Sequence, residues 1–138
     1  MLEWDNIYYR KPAKKAAVKK TVVRLGLIQW QMRPYESIES LLQQAEYLID
    51  AVSGYRSDFA LFPEFFNAPL MARNNHLGEA EAIRELASHT EELVQKISSF
   101  SISYNINIVT GSMPEVKNGK LYNVGYLCKR DGSIERYE

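Results

Sequence analysis

Glu64 carries the most chemistry this sequence offers. It stands in the tetrapeptide Pro63-Glu64-Phe65-Phe66, directly after the apolar run Phe59-Ala60-Leu61-Phe62. A carboxylate flanked by Phe62, Pro63, Phe65 and Phe66 is expected to be partly desolvated. Desolvation disfavours the charged form and raises a carboxyl pKa, which suits the group to proton transfer near neutral pH. On these four residues alone, a loop-edge Glu beside aromatics is the plainer reading.

The other reactive side chains offer less. Cys128 is the single thiol, and it follows Val124-Gly125-Tyr126-Leu127 inside an expected strand. A free Cys in that setting behaves as a small apolar core residue rather than a nucleophile. His76 and His89 are isolated, with no HExxH pair and no Cys/His cluster, so no metal site or cofactor is expected. Glu79, Glu81, Glu91 and Glu92 read as solvated helix starts favoured by the helix dipole. Gly111 and Gly119 stand alone and make no phosphate loop.

The elements that must position Glu64 follow from periodicity. Thr21–Trp30 is a near-continuous apolar run, read as a strand buried on both faces over 22–29. Pro34 and Ser37 open a helix whose apolar residues Ile38, Leu41, Leu42, Ala45, Leu48, Ile49 and Val52 share one face, with Gly54 as its expected cap. Residues 59–62 form the second strand, giving a βαβ unit with parallel strands. Its carboxyl end, where open α/β sheets take their ligands, carries Glu64.

Residues 67–78 read as an irregular loop and 79–87 as a short helix. Ser88 with Glu91 resembles a capping box for a helix bearing Leu93, Val94, Ile97, Phe100 and Tyr104. Residues 106–110 make a third strand, ended by Gly111. Turn signals at Asn118-Gly119 and Asp131-Gly132 predict that the last three strands meander as antiparallel neighbours. The fold class is thus α/β, with a mixed sheet.

Composition sets the frame. The 138 residues suit one domain or part of a larger one, and 46% hydrophobic content suffices for a core. Net charge is zero, which advertises neither nucleic acid nor membrane. Residues 1–24 nevertheless hold seven Lys/Arg against Glu3 and Asp5. Residues 1–20 are read as a basic arm or interdomain linker; Tyr8 and Tyr9 do not make a stacking series, so nucleic-acid binding is not expected. No apolar stretch approaches the ~20 residues of a membrane span. One Cys and no apolar signal core fit a cytoplasmic protein. Residues 134–138 enter a strand without a stop signal, so the sequence is read as the front of a longer protein.

The combined pattern resembles the carbon–nitrogen hydrolases of the nitrilase superfamily. The matching residues are Val23-Arg24-Leu25-Gly26-Leu27-Ile28-Gln29, Phe62-Pro63-Glu64, Gly111-Ser112, Leu121-Tyr122-Asn123, and Asp131-Gly132 leading to Arg136-Tyr137-Glu138. The wording of residues 29–33 and 62–70 resembles a branch in which the hydrolase follows an N-acetyltransferase-like domain. The resemblance implies an α-β-β-α sandwich, usually dimerised, with residues 21–138 its N-terminal portion and helices on one face of the sheet.

It also implies a Glu-Lys-Cys catalytic set acting on a small-molecule amide, or a nitrile as the lesser alternative. Glu64 takes the general-base role. The Lys is expected just after Tyr137-Glu138 and the Cys further on, so this chain alone is expected to be inactive. Phe65, Phe66, Asn67 and Leu70 follow the Glu and are candidates to line the substrate pocket; the alternative for the two Phe is core packing, and for Phe66 the two readings weigh equally. Tyr122 and Asn123 are candidates to brace the site. A homo-oligomer is expected. The competing reading is a non-catalytic pseudoenzyme or an interaction module with a basic arm. A flavodoxin-like domain fits less well, given the late antiparallel meander and the missing phosphate loop.

Overall fold

The computed structural model describes residues 21–138. The basic arm expected over 1–20 lies outside the described residues. Five strands form one sheet in sequential order: β1 (Leu25–Leu27), β2 (Phe59–Leu61), β3 (Asn107–Lys117), β4 (Lys120–Cys128) and β5 (Ile134–Tyr137). The first three are parallel, and β4 and β5 return antiparallel. The sheet is therefore mixed, as the motif order predicted.

Three helices accompany it: α1 (Ile38–Gly54), α2 (Glu79–Ala87) and α3 (Thr90–Ser103). Ser37 starts α1 by accepting the Ser40 N–H at 3.1 Å, which satisfies one of the unpaired donors of a helix N-terminus. Ile38, Leu41, Leu42, Ala45 and Ile49 are buried on the face that the spacing predicted. Leu93, Val94 and Ile97 of α3 join them. Both helices pack on the side of the sheet that presents Ala60, Phe62, Ile108 and Cys128. α2 packs against β3 and a 3-10 helix over Ala68–Asn74.

Several expected boundaries move. Gly54 lies within the last turn of α1, and the left-handed residue beyond it is Arg56, at φ 55°. Ser88 does not cap the following helix. It ends α2, where its hydroxyl donates to Glu85 O at 2.6 Å. The two helices abut, so one residue cannot serve both, and α3 begins behind His89. The segment expected as an irregular loop contains the 3-10 helix, started by Pro69, whose fixed φ suits a first turn.

Gly111 does not end β3 either. Pairing with β4 slips between Val109 and Ser112, so Gly111 makes a bulge and the strand runs on to Lys117. At the next turn Asn118 and Gly119 both have positive φ, 51° and 74°, as a two-residue hairpin joining right-twisted strands requires.

The reading of β1 as buried on both faces is corrected. Leu25 and Leu27 are 55% and 76% exposed. Strand alternation and register place them beside Phe59, Leu61, Val109 and Leu127, on the face opposite the helices. Nothing in residues 21–138 covers that face fully. β1 is also shorter than expected, because β2, its partner, pairs over three residues only.

An ionic cross-tie holds the antiparallel half together. Glu115 on β3 accepts from Tyr126 OH on β4 at 2.7 Å, and from Arg136 Nε and Nη2 on β5 at 2.9 and 2.6 Å. The Arg136 hydrogen bond holds the Glu115 carboxyl below its usual range against the opposing effect of burial. Burial first, then Glu115, pushes the Tyr126 hydroxyl up to about 12. A carboxyl depressed in the folded state adds stability above its unfolded value, near 4.5, and loses it as pH falls through the folded value. The pair is partly solvated, so its contribution is below about 1 kcal/mol. Thermal unfolding of the full-length protein at pH 7, 5 and 3 checks this. Glu115→Gln should lower Tm at pH 7 and flatten the loss between pH 5 and 3; an unchanged slope refutes it.

Candidate active site

The chain leaves β2 at Leu61 and turns sharply. Phe62 N–H still reaches Val109 O at 3.0 Å. Pro63 and Glu64 then project beyond the carboxyl end of the strand. Phe65, with φ of 56°, reverses the backbone. A bulky residue in the left-handed region costs about 1–3 kcal/mol and persists only where its surroundings hold it. Two bonds from the β3 bulge do so: Phe65 N–H donates to Ser112 Oγ at 3.0 Å, and Phe66 N–H to Ser112 O at 2.9 Å.

Gly111 makes the approach possible. At φ 72° it runs so close to the turn that a Cβ would stand 2.0 Å from Pro63 O. Any other residue there would push the Glu64 turn away from the sheet.

Beyond the turn the chain dives into the core. Phe66 stacks on Trp30 with centroids 5.2 Å apart and meets Phe62 edge-on at 4.9 Å. Phe66, Asn67 and Leu70 are buried, and none of them reaches the concavity in front of Glu64. They lie beneath the concavity rather than on its wall. The three-aromatic cluster with Trp30 is the physical reason, since it draws residue 66 inward. Both amide atoms of Asn67 are buried without a hydrogen-bond partner.

The concavity measures about 480 Å³ and is lined by Glu64, Phe65, Ile83, Ser112, Pro114, Leu121, Tyr122 and Asn123. Glu64, Phe65, Tyr122 and Asn123 therefore share one concavity. Glu64 itself is exposed, which corrects the expected desolvation. The flanking Phe62 and Phe66 face the core, and the wall facing Glu64 is open.

Ile83, Ser112, Pro114 and Leu121 were not among the expected site residues. Ser112 sits in the Gly111-Ser112 motif, but its bond to Phe65 spans 47 positions and leaves no local signal. Ile83 lies beside the buried stripe Ala82, Leu86 and Ala87 of α2, where helical spacing alone reads it as core margin.

Cys128 is fully buried, and its Sγ lies 3.9 Å from Val94 O. Burial pushes its thiol up to about 11, so it is protonated at neutral pH. It stands in the core between sheet and α3, away from the concavity. Among the described residues, no group of three His, Cys, Asp or Glu could hold a metal ion, and no helix is long and apolar enough to cross a membrane.

The arrangement defines an α/β domain with an accessible carboxylate at the carboxyl edge of its parallel strands, where open α/β sheets take their ligands. Residues 24–138 match the carbon–nitrogen hydrolase family, and the chain belongs to that family. It is 36% identical over 137 residues to the probable hydrolase YhcX of Bacillus subtilis strain 168, covering 99% of this chain and 27% of YhcX.

Among solved structures it resembles a carbon–nitrogen hydrolase from Helicobacter pylori G27, with a TM-score of 0.65 and 16% identity over 83% of this chain and 38% of that one. It also resembles Saccharomyces cerevisiae Nit3, of branch 10 of the nitrilase superfamily, with a TM-score of 0.64 and 19% identity over 83% of this chain and 43% of Nit3. A third is an amidase from Nesterenkonia AN1, with a TM-score of 0.63 and 16% identity over 84% of this chain and 42% of the amidase. The chain thus spans about a quarter of YhcX and less than half of the solved hydrolases. At these identities the structural likenesses carry the fold alone.

Proposed function

We propose that the full-length protein hydrolyses a non-peptide amide through an acyl-thioester, with Glu64 as general base. The observation that carries the reading is the placement of Glu64. It projects into the concavity from a turn that the β3 bulge fixes from behind. Family membership supplies the reaction class, and the choice of amide over nitrile is part of the proposal.

The chemistry needs three groups, of which this chain provides one. Cys128 is no substitute nucleophile, being buried and protonated. In the proposed sequence a Cys downstream of residue 138 gives its proton to Glu64 and attacks the amide carbon. The oxyanion that forms is met by a Lys that also lies downstream. The C–N bond breaks as Glu64 returns the proton to the leaving amine. Water then gives a proton to Glu64 and attacks the thioester carbon, the C–S bond breaks to release the acid, and Glu64 returns the proton to the sulfur.

The reading extends to the rest of the protein. The second sheet of an α-β-β-α sandwich would cover the apolar face bearing Leu25 and Leu27, and a homo-oligomer is part of the same proposal. An N-acetyltransferase-like domain ahead of residue 1 fits the greater length of YhcX relative to the solved hydrolases. A cytoplasmic location is proposed with it.

The test is turnover by the full-length protein on a panel of short aliphatic amides and the matching nitriles. It is read as ammonia release and as an acyl mass increment on one Cys outside residues 1–138. Ammonia from amides with that increment supports the reading. Acylation of Cys128, or turnover with no protein adduct under acid quench, counts against it.

A further inference from the structure

We propose that Ser112 is a positioning residue for Glu64, acting through the backbone of Phe65; this rests on the reading of Glu64 as the base. The Ser112 hydroxyl oxygen accepts the Phe65 N–H at 3.0 Å, and Phe65 is the residue next to Glu64 in sequence. Phe65 is also the residue whose left-handed φ of 56° turns the backbone at the sheet edge. A side-chain acceptor therefore holds in place the strained residue that aims the carboxylate.

The geometry around Ser112 makes the hydroxyl specific to this task. The bulge at Gly111 shifts β3 by one residue and brings Ser112 opposite Gly125. The Tyr137 ring fills the place where a Gly125 side chain would stand, and the Ser112 hydroxyl faces the turn. Its main-chain carbonyl takes the neighbouring Phe66 N–H at 2.9 Å. That second bond is independent of the side chain, so it survives replacement of the hydroxyl. Loss of the hydroxyl releases Phe65 alone. The fold stays pinned at Phe66, while the residue beside Glu64 is free to leave an unfavourable φ. Small displacements of a reacting group cost rate rather than binding.

Ser112 also lines the concavity with Glu64, Tyr122 and Asn123. It could therefore be read as a substrate contact, and the two roles separate in kinetics. Loss of a substrate contact that acts equally in ground and transition states raises KM, whereas a misplaced base lowers kcat.

The experiment uses the full-length protein with Ser112→Ala, Ser112→Thr and Glu64→Gln, assayed by ammonia release from the amide that the wild type turns over best. Ser112→Ala should lower kcat about 10- to 100-fold with KM within about twofold. Ser112→Thr, which keeps the hydroxyl, should restore most of the rate. Hydrogen exchange provides a readout independent of turnover. In Ser112→Ala the Phe65 amide should lose protection while the Phe66 amide keeps its own.

Unchanged kcat in Ser112→Ala, beside an inactive Glu64→Gln, overturns the positioning role and leaves the base assignment standing. An active Glu64→Gln overturns the base assignment itself. If no amide is turned over, exchange decides, and an unchanged Phe65 amide in Ser112→Ala overturns the proposal.

Discussion

Glu64→Gln in the full-length protein should fold normally and lose amide hydrolysis by several orders of magnitude. Removal of a general base alone costs about 10²–10⁴-fold. Here one carboxylate would serve twice, first for the thiol and the leaving amine, then for the attacking water. Gln keeps the volume and hydrogen-bonding shape of Glu but cannot accept a proton. Glu64 is exposed and takes no part in the core, so the variant should match the wild type in Tm and in circular dichroism. Cys128→Ala serves as the control, since it removes a thiol that the site does not use. It should retain turnover in the molecules that fold, with some loss of stability from the small cavity in the core. Steady-state assay of both variants decides the matter. A Glu64→Gln enzyme turning over near the wild-type rate would falsify the catalytic role. An inactive but folded Cys128→Ala would return that thiol to consideration.

What could be read from the sequence divides along local and long-range lines. The βαβ unit was legible because its signals are local: an apolar run, a helical stripe from Ile38 to Ile49, and a second run closed by Pro63. The hairpin at Asn118-Gly119 was legible for the same reason. The position of Glu64 at the sheet edge was legible from its place after β2.

The features that escaped depend on partners distant in sequence. Gly111 looks like a strand terminator until β4 shows that it is a bulge. Phe66 and Phe65 are neighbours with similar side chains, yet only Phe65 lines the concavity, because Trp30 and Phe62 claim Phe66. The exposure of Glu64 was illegible for a related reason. Flanking aromatics predict burial only if they face the same way as the acid, and here Phe62 and Phe66 turn inward. The apolar run of β1 did signal burial on two faces, but residues 21–138 supply the cover for one.

That uncovered face leads to the second large effect: the isolated 138-residue chain should self-associate and bind a hydrophobic dye. Leu25 and Leu27 of β1 are 55% and 76% exposed, and Val22 and Val23 just before the strand are 68% and 57% exposed. Phe59, Leu61, Val109 and Leu127 continue the same face across three strands, each only partly covered. Apolar patches beyond a few hundred Å² are unusual on monomers and mark interfaces or aggregation sites.

The two sheet edges differ in the same direction. β5 presents Glu135 and Arg136, charges that discourage pairing with another chain, whereas β1 presents leucine on one face and little else to oppose contact. Association should therefore proceed through the β1 side. Leu25→Lys with Leu27→Lys tests this cleanly, because both side chains are already exposed and their loss should leave Tm nearly unchanged. Burying one leucine contributes about 1.5–3 kcal/mol, so removing two from an interface should weaken association by well over tenfold. Sedimentation velocity at tens of micromolar reads the result. Oligomers in the wild-type chain and a monomer in the double variant are expected. A stable, dye-silent monomer from the wild-type chain would mean that residues 1–138 close their own core and need no second sheet.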